Sequence, residues 1–269
     1  MAESVSVTVP MNFTLSRHEL LVILDALGEA IIPGLAADPL GDLSPEQEQL
    51  AKTIAQRALL ARGFMRMHED GPALHRWILD AIATCAFAPK VIMAIRRSPN
   101  DPIPFQFYAH IGEDAIVSHI PSPDALHAFA MIHDHNMLVE QLNAIIRFPK
   151  EDEIIEKGSF QISEPLFSRV REHIATGNTE DARASLTAAT EGSRLVDPFI
   201  DTMVHEHTLV LLHWLHAIDE HTREERDFTV IHDGQRSWLL EANDGTIHIH
   251  PTSSPHFKRF FLAIMDSTP

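Results

Sequence analysis

The sequence has one cysteine, Cys85, among 269 residues, which excludes an internal disulfide framework and is typical of a reducing compartment. It has no run that approaches the ~20 apolar residues of a membrane-spanning helix. Positive charge is scarce, since 21 Lys and Arg against 38 Asp and Glu give a formal net charge of −17. Such a surface repels phosphate backbones and anionic lipid, so we expect neither a nucleic-acid partner nor a membrane.

Recognisable catalytic motifs are also lacking. The sequence contains no glycine-rich phosphate loop, no Gly-x-Ser-x-Gly and no Cys-x-x-Cys. Cys85 lies in an apolar run, so we interpret it as a small buried hydrophobe and not as a nucleophile. We therefore predict no catalytic residue, no cofactor-binding residue, no metal site and no cofactor. The first ten residues lack the features of a secretory leader, and we expect a cytoplasmic, non-enzymatic protein.

The sequence does contain a pattern of elements that occurs twice. Residues 86–132 predict strands joined by turns and then a helix that opens with Ser122-Pro123. Residues 226–265 predict the same order, with a last helix from Ser254-Pro255. We predict an α+β fold of two pseudo-symmetric halves, each with helices packed on an antiparallel β-meander. The predicted first repeat covers 1–148 with a winged-helix-like N-terminal part, a charged linker covers 149–160, and the second repeat covers 161–269.

Local signals place the individual elements. Capping-box spacing of Ser16 with Glu19, and of Ser44 with Gln47, predicts two helix starts, the second helix ending near residue 61. Further helices are predicted over 72–87, from Ser122, and over 164–175, 179–189, 197–218 and 255–265. Strands are predicted over 5–9, 91–95, 105–111, 115–120, 228–232, 237–242 and 246–250.

Histidine, at 18 residues, offers the main alternative chemistry. His248 and His250 are two apart on a predicted strand and therefore share a face, a geometry that binds divalent metals. His232 on a neighbouring strand would supply a third ligand, for a metal-binding protein or a metal-dependent enzyme. The simpler interpretation is a polar face, with Ile247 and Ile249 on the buried side.

Four more histidines, His205, His207, His213 and His216, fall on the long helix predicted over 197–218. The pair His213 and His216 has a spacing that can chelate a metal on a helix, but the His-Glu-x-x-His pattern of zinc proteases is absent. We interpret these four as surface or hydrogen-bonded side chains.

Two other polar groups have structural interpretations. His133-Asp134-His135 lies just past the helix predicted from Ser122, where positive charge suits the C-terminal end of the helix dipole. The acidic pairs between 219 and 226 are interpreted as a solvated loop or helix end.

A second alternative is a winged-helix regulator. The predicted helix before Gly63 and the turn at Asp70-Gly71 have the order of a recognition helix and wing. The basic residues that such a regulator would use are Lys52, Arg57, Arg62 and Arg66.

The order of several motifs resembles the EspG-type chaperones of type VII secretion, and the resemblance is weaker in the second half. The matching segments are 13–21, 27–33, 60–64 with 70–71, Ala86-x-Ala88-Pro89, a strand from Val91, a hairpin, and His119-Ile120-Pro121. This resemblance implies two α+β halves, a helical protein partner and no enzymatic activity. We accordingly expect a cytoplasmic chaperone or adaptor that is a monomer or homodimer.

Overall fold

The computed structural model describes residues 12–28, 31–35, 41–69, 71–99, 101–149, 158–205, 207–218 and 222–267. The first elements are β1 (Asn12–Ser16), α1 (Arg17–Leu27), α2 (Pro45–Ala61), β2 (Met65–His68), β3 (Gly71–Leu74), α3 (Arg76–Phe87), β4 (Lys90–Arg97), β5 (Phe105–Ile111), β6 (Ile116–Pro121), β7 (Leu126–Ile132) and α4 (His135–Ile146). They are followed by β8 (Phe160–Ser163), α5 (Glu164–Ala175), α6 (Thr179–Ala189), α7 (Val196–Val204), β9 (Thr208–Ala217), β10 (Arg223–His232), β11 (Ser237–Asn243), β12 (Thr246–Pro251) and α8 (Ser254–Ser267).

These residues divide into two compact units, the first within 1–91 and 107–133 and the second within 92–106 and 134–269. In the first unit the strand order is β1-β7-β6-β5, with antiparallel neighbours. Helices α1, α2 and α3 pack on these strands through a continuous apolar core that includes Cys85, as predicted. Burial also raises the pKa of the Cys85 thiol.

The entry into α1 depends on an ion pair that sequence spacing does not reveal. Ser16 and Glu19 form the predicted capping box, and the Glu19 carboxylate is buried. The Arg62 guanidinium donates to both oxygens of that carboxylate at 2.9 Å and to the Thr14 carbonyl at 2.6 Å. One arginine at the end of α2 therefore joins α2 to β1 and α1.

In the second unit the strand order is β4-β9-β10-β11-β12-β8, and neighbours from β9 to β8 are antiparallel. Side chains alternate between the faces of a strand, so two faces need covering. One face packs on α5, α6 and α7 through the buried side chains Phe160, Ile162, Val170, Ala182, Leu186, Leu195, Val196, Phe199, Ile200, Met203, Ile231, Trp238, Leu240, Ile247 and Ile249.

The opposite face of the same sheet is covered by α8, with α4 anchored beside it. The Phe261 ring lies 6.4 Å from the Trp214 ring on β9 and 6.1 Å from the Phe228 ring on β10. The His232 Nε2–H donates to the Ile146 carbonyl at the end of α4, at 3.0 Å.

The helix predicted from Ser122 is wrong. A turn precedes β7, which pairs with both β6 and β1, and Ala125 in this turn has a φ of 55°. His127 and Phe129 are both buried, the two-residue period of a strand. The α4 helix begins later, with the Asp134 carboxylate accepting from the Met137 N–H at 2.8 Å. The group 133–135 therefore lies at the start of a helix and not past its end.

The long helix predicted over 197–218 is also wrong beyond residue 204. Residues 208–217 form β9, whose buried side chains Val210, Leu212, Trp214 and His216 alternate with more exposed ones. When both faces of a segment are apolar, the spacing of its apolar residues does not distinguish a strand from a helix. Of the polar stretch 219–226, residues 223–226 lie in β10 and not in a loop.

Several predictions are confirmed, and others are not tested. Helices α5 and α6 and the hairpins β5–β6, β10–β11 and β11–β12 lie where the turn signals place them, whereas α3 begins at residue 76, after the short strand β3. The strand predicted over 5–9 and most of the linker over 149–160 lie outside the described residues. No helix among the described residues is long and apolar enough to span a membrane.

The α+β class is confirmed. One strand, three helices, four strands and a helix follow one another from β1 to α4, and again from β8 to α8, with the hairpin β2–β3 added in the first series. In both series the opening strand pairs with the last of the four consecutive strands, so that β1 pairs with β7 and β8 pairs with β12. Pseudo-symmetry, internal duplication and the predicted domain bounds stay predictions.

We predict that Arg62→Met lowers the free energy of unfolding by about 3 kcal/mol, because the Glu19 carboxylate then stays buried without its cation. Urea unfolding followed by circular dichroism measures this loss. Arg57→Met, on the exposed side of the same helix, is the control and should change stability by less than about 0.5 kcal/mol. Equal stability of the two variants would contradict a structural role for Arg62.

Candidate functional site

A groove on the sheet of the second unit is the candidate functional site, and we call it the β9 groove. Its volume is about 450 Å³, and it lies where α5 and the end of α7 meet strands β9 and β10. Its lining residues are Arg97, Phe167, Arg171, Ile174, Ala175, Met203, His207, Leu209, Leu211, Thr229 and Ile231. Six of these are large apolar side chains, so the groove has an apolar surface of the kind found at the centre of protein interfaces.

The alternation of β9 explains why the groove is open. From Val210 onward, the residues with even numbers in β9, such as Leu212, are buried on the α8 side. Residues with odd numbers face the α5–α7 side, where the helices cover Ile231 of β10 completely but leave Leu211 39% exposed. Leu211 and Thr229 are directly opposite in the β9–β10 ladder and form the uncovered part of the floor.

A second groove, in the first unit, is lined by α1, α2, α3 and the hairpin β2–β3, with a volume of about 540 Å³. The hairpin after α2 gives this part the helix-and-wing order of the winged-helix hypothesis. However, the Lys52 ammonium pairs with Asp25 at 2.8 Å and with Glu48 at 3.4 Å. Arg62 pairs with the buried glutamate of α1, so that of the four proposed cations only Arg57 and Arg66 lack an ion-pair partner among the described residues.

The histidines considered as metal ligands are not brought together. His248 and His250 share a face of β12, as predicted, with Ile247 and Ile249 buried on the other. His232, however, is not on the neighbouring strand, because β11 separates β10 from β12 by about 10 Å in total. Among the described residues, no three His, Cys, Asp or Glu side chains form a group that could hold a metal ion.

His250 has a packing role. Its ring lies 5.4 Å from the ring of His256 and 6.2 Å from that of Phe260, both on α8. Burial, with repulsion from His256 and His248, lowers the pKa of His250 to about 4. The imidazole is therefore neutral at pH 7 and contributes to the interface between β12 and α8.

The histidines of β9 form cross-strand pairs with β10. His213 and His216 are three residues apart on a strand and point to opposite faces, so the chelating pair considered for a helix does not exist. The Nδ1 atom of His213 lies 2.7 Å from the Asp227 carboxylate, and that of the buried His216 lies 3.9 Å from Glu224. Both pairs join residues that are directly opposite in the β9–β10 ladder, and of the two only His213 is within hydrogen-bonding distance of its carboxylate.

Sequence reasoning missed a cluster of three fully buried histidines in the first unit: His110 on β5, His119 on β6 and His127 on β7. The His119 ring centroid lies 6.0 Å from that of His110 and 5.1 Å from that of His127. The His119 Nδ1–H donates to the Pro33 carbonyl at 3.2 Å, so its Nε2 accepts from the His127 Nδ1–H at 2.9 Å. The alternation of β5, β6 and β7 was the available signal, but the third strand was predicted as helix.

The loop before α2 packs tightly on this cluster. Gly34 has a φ of 87°, and a Cβ there would lie 2.6 Å from the Tyr108 ring and 2.9 Å from the His119 ring. Burial lowers the pKa of His110 to about 4, and burial with repulsion from Arg17 lowers that of His127 to about 4. Burial, with repulsion from the other two, lowers the pKa of His119 to about 3. All three rings are neutral at pH 7, and the cluster is an acid-sensitive part of the core.

Comparisons with known proteins identify the fold. No protein-family model matches the sequence, and no curated protein is similar to it by sequence. Among solved structures, the type VII secretion system chaperone EspG5 of Mycobacterium tuberculosis, in complex with the PE25-PPE41 dimer, has a similar fold with a TM-score of 0.64. The likeness covers 96% of this chain and 97% of the EspG5 chain, at 9% sequence identity.

The fold is EspG-like. The resemblance inferred from the sequence is therefore confirmed at the level of the fold. It extends over the second half of the chain, where the sequence motifs are weaker, because fold similarity depends on element order and packing and not on residue identity. The β9 groove is a feature of the second half of this EspG-like chain.

We predict that His110→Phe raises the free energy of unfolding at pH 7 by about 1 kcal/mol. Neither ring nitrogen of His110 has a hydrogen-bond partner among the described residues, so an apolar ring removes a desolvation cost. The variant should also lose less stability between pH 6.5 and pH 4. In that interval the unfolded histidine takes up a proton that the folded one, with its lowered pKa, does not, so stability falls as the pH falls.

Urea unfolding across this pH range measures both effects, with the exposed His133→Phe as control. The control should follow the native pH profile. A His110→Phe variant that is less stable than the native chain at pH 7 would contradict the prediction. It would show that removing the two His110 ring nitrogens does not stabilise the core.

Proposed function

We propose that this protein is a non-enzymatic cytoplasmic chaperone or adaptor, resembling the EspG-type secretion chaperones, that binds a helical protein partner. The observation that carries the proposal is the likeness to EspG5 over nearly the whole of both chains. EspG5 was solved in complex with the PE25-PPE41 dimer. A shared fold at 9% identity supports the same class of activity and leaves the identity of the partner open.

The β9 groove supports this proposal with a surface suited to protein binding. Protein interfaces concentrate their binding energy in a few apolar anchors that fill concave sites and exclude water. Leu209 and Leu211 of β9 offer an apolar floor beside Ile174 of α5, and the floor is partly exposed. An amphipathic helix would insert side chains spaced three or four residues apart into such a groove.

We predict that Leu211→Asp abolishes recovery of the partner, because a carboxylate on the groove floor must be desolvated against apolar side chains. The measurement is affinity purification of the tagged native chain from its own cells, followed by mass spectrometry. We expect one reproducible, predominantly helical protein or protein pair with the native chain and its loss with the variant.

Leu126→Asp is the matched control, because Leu126 is also a strand leucine and is 43% exposed outside the groove. It should retain the partner. Circular dichroism and thermal unfolding establish that both variants are folded. Repeated purification of the native chain without any specific protein would contradict the proposed function, and equal loss with both variants would contradict the groove as its site.

A further inference from the structure

The β9 groove differs in charge from the chain as a whole. The chain has a formal net charge of −17, yet the described residues that line the groove include two arginines, Arg97 and Arg171, together with His207, and no acidic residue. The groove of the first unit has no such excess, because its lysine, Lys52, is paired with Asp25 across the groove. The described lining of the β9 groove therefore combines apolar side chains with an excess of positive charge.

The two arginines of the β9 groove are not neutralised within the described part of the chain. Arg97 ends β4 and is exposed, whereas its neighbour Arg96 is buried and donates to the Asp101 carboxylate at 3.0 Å and to the Ile145 carbonyl at 3.1 Å. Arg171 lies on the exposed side of α5. Neither Arg97 nor Arg171 has an ion-pair partner among the described residues, so both guanidinium groups are available to a ligand.

The position of the two arginines beside apolar side chains determines which ligand groups they bind. A guanidinium binds a carboxylate through two parallel hydrogen bonds, and the attraction strengthens where apolar walls exclude water. The net negative charge of the chain repels an acidic partner, so the two arginines favour binding of its carboxylates at the groove. Charge of this kind gives an interface selectivity more than raw affinity.

We propose that the β9 groove selects a helical segment in which carboxylate side chains flank apolar ones, with Arg97 and Arg171 binding the carboxylates. The apolar side chains occupy the floor at Leu209 and Leu211. This inference rests on the proposed function and adds the chemical class of the partner segment.

The test uses two fluorescein-labelled, helix-stabilised peptides of 16 residues on the native chain. Both carry the same leucines at three- and four-residue spacing, and they differ only at the flanking positions, which are glutamate in one and lysine in the other. Fluorescence polarisation should show at least about tenfold tighter binding of the glutamate peptide, equivalent to about 1.4 kcal/mol. Non-specific attraction to a chain of net charge −17 would give the opposite order.

The variants assign the preference to the two arginines. The double variant Arg97→Glu/Arg171→Glu should reverse it, and Arg97→Gln/Arg171→Gln should remove it. Arg169→Glu is the matched control, because this exposed residue is on the same helix but does not line the groove, and it should keep the preference. Thermal unfolding establishes that each variant is folded.

Three results would overturn the charge assignment: a preference for the lysine peptide, an unchanged preference in the double variants, or no binding of either peptide below about 1 mM. Failure of the proposed function is recognised separately. If the cellular partner depends on Leu211 but not on the arginines, the function stands and the charge assignment falls. If the native chain recovers no partner but binds the glutamate peptide through the arginines, the charge assignment stands and the function falls.

Discussion

The need to cover both faces of a β-sheet determines the organisation of the second unit. On the α8 side, Phe257 and Phe261 are fully buried and close the surface formed by residues such as Trp214 and Phe228. On the opposite side, α5, α6 and α7 cover the strands from β8 to β10 and leave the odd-numbered residues of β9 only partly covered. The β9 groove is the consequence, because Leu211 on this apolar strand face stays 39% exposed beside the helices, and exposed apolar patches are typical of protein interaction sites.

Several polar side chains that the sequence offers as candidate binding residues stabilise the fold instead. Arg62 neutralises a buried carboxylate at the start of α1, and His232 joins β10 to the end of α4. The histidines of β5, β6 and β7 pack as neutral rings, so their contribution weakens in acid. Arg97 and Arg171 differ from these groups, because they line the groove without an ion-pair partner among the described residues.

The sequence predicts elements well where the signal is local. Ser16 and Ser44 announce their helices through capping boxes, and Asp233-Gly234 closes a hairpin as expected, with the Asp233 carboxylate accepting from two following N–H groups at 2.8 Å. Sequence-based prediction fails at β7, because the turn before this strand resembles a helix cap. It also fails at β9, because both faces of that strand are apolar. The groove could not be predicted, since its existence depends on which strand face the helices leave uncovered, a non-local property. The resemblance of the fold to that of the EspG-type chaperones, in contrast, is predicted by the order of the motifs.

Photo-crosslinking tests the central claim, that a helical partner docks in the β9 groove, most directly. Benzoylphenylalanine would replace Leu211 in the groove or, as a separate probe, Leu50, which is 60% exposed on α2. After irradiation in the cells that produce the protein, the account predicts a partner adduct from position 211 and none from position 50. An adduct from position 50 with none from position 211 would contradict the account and place the docking surface on the first unit.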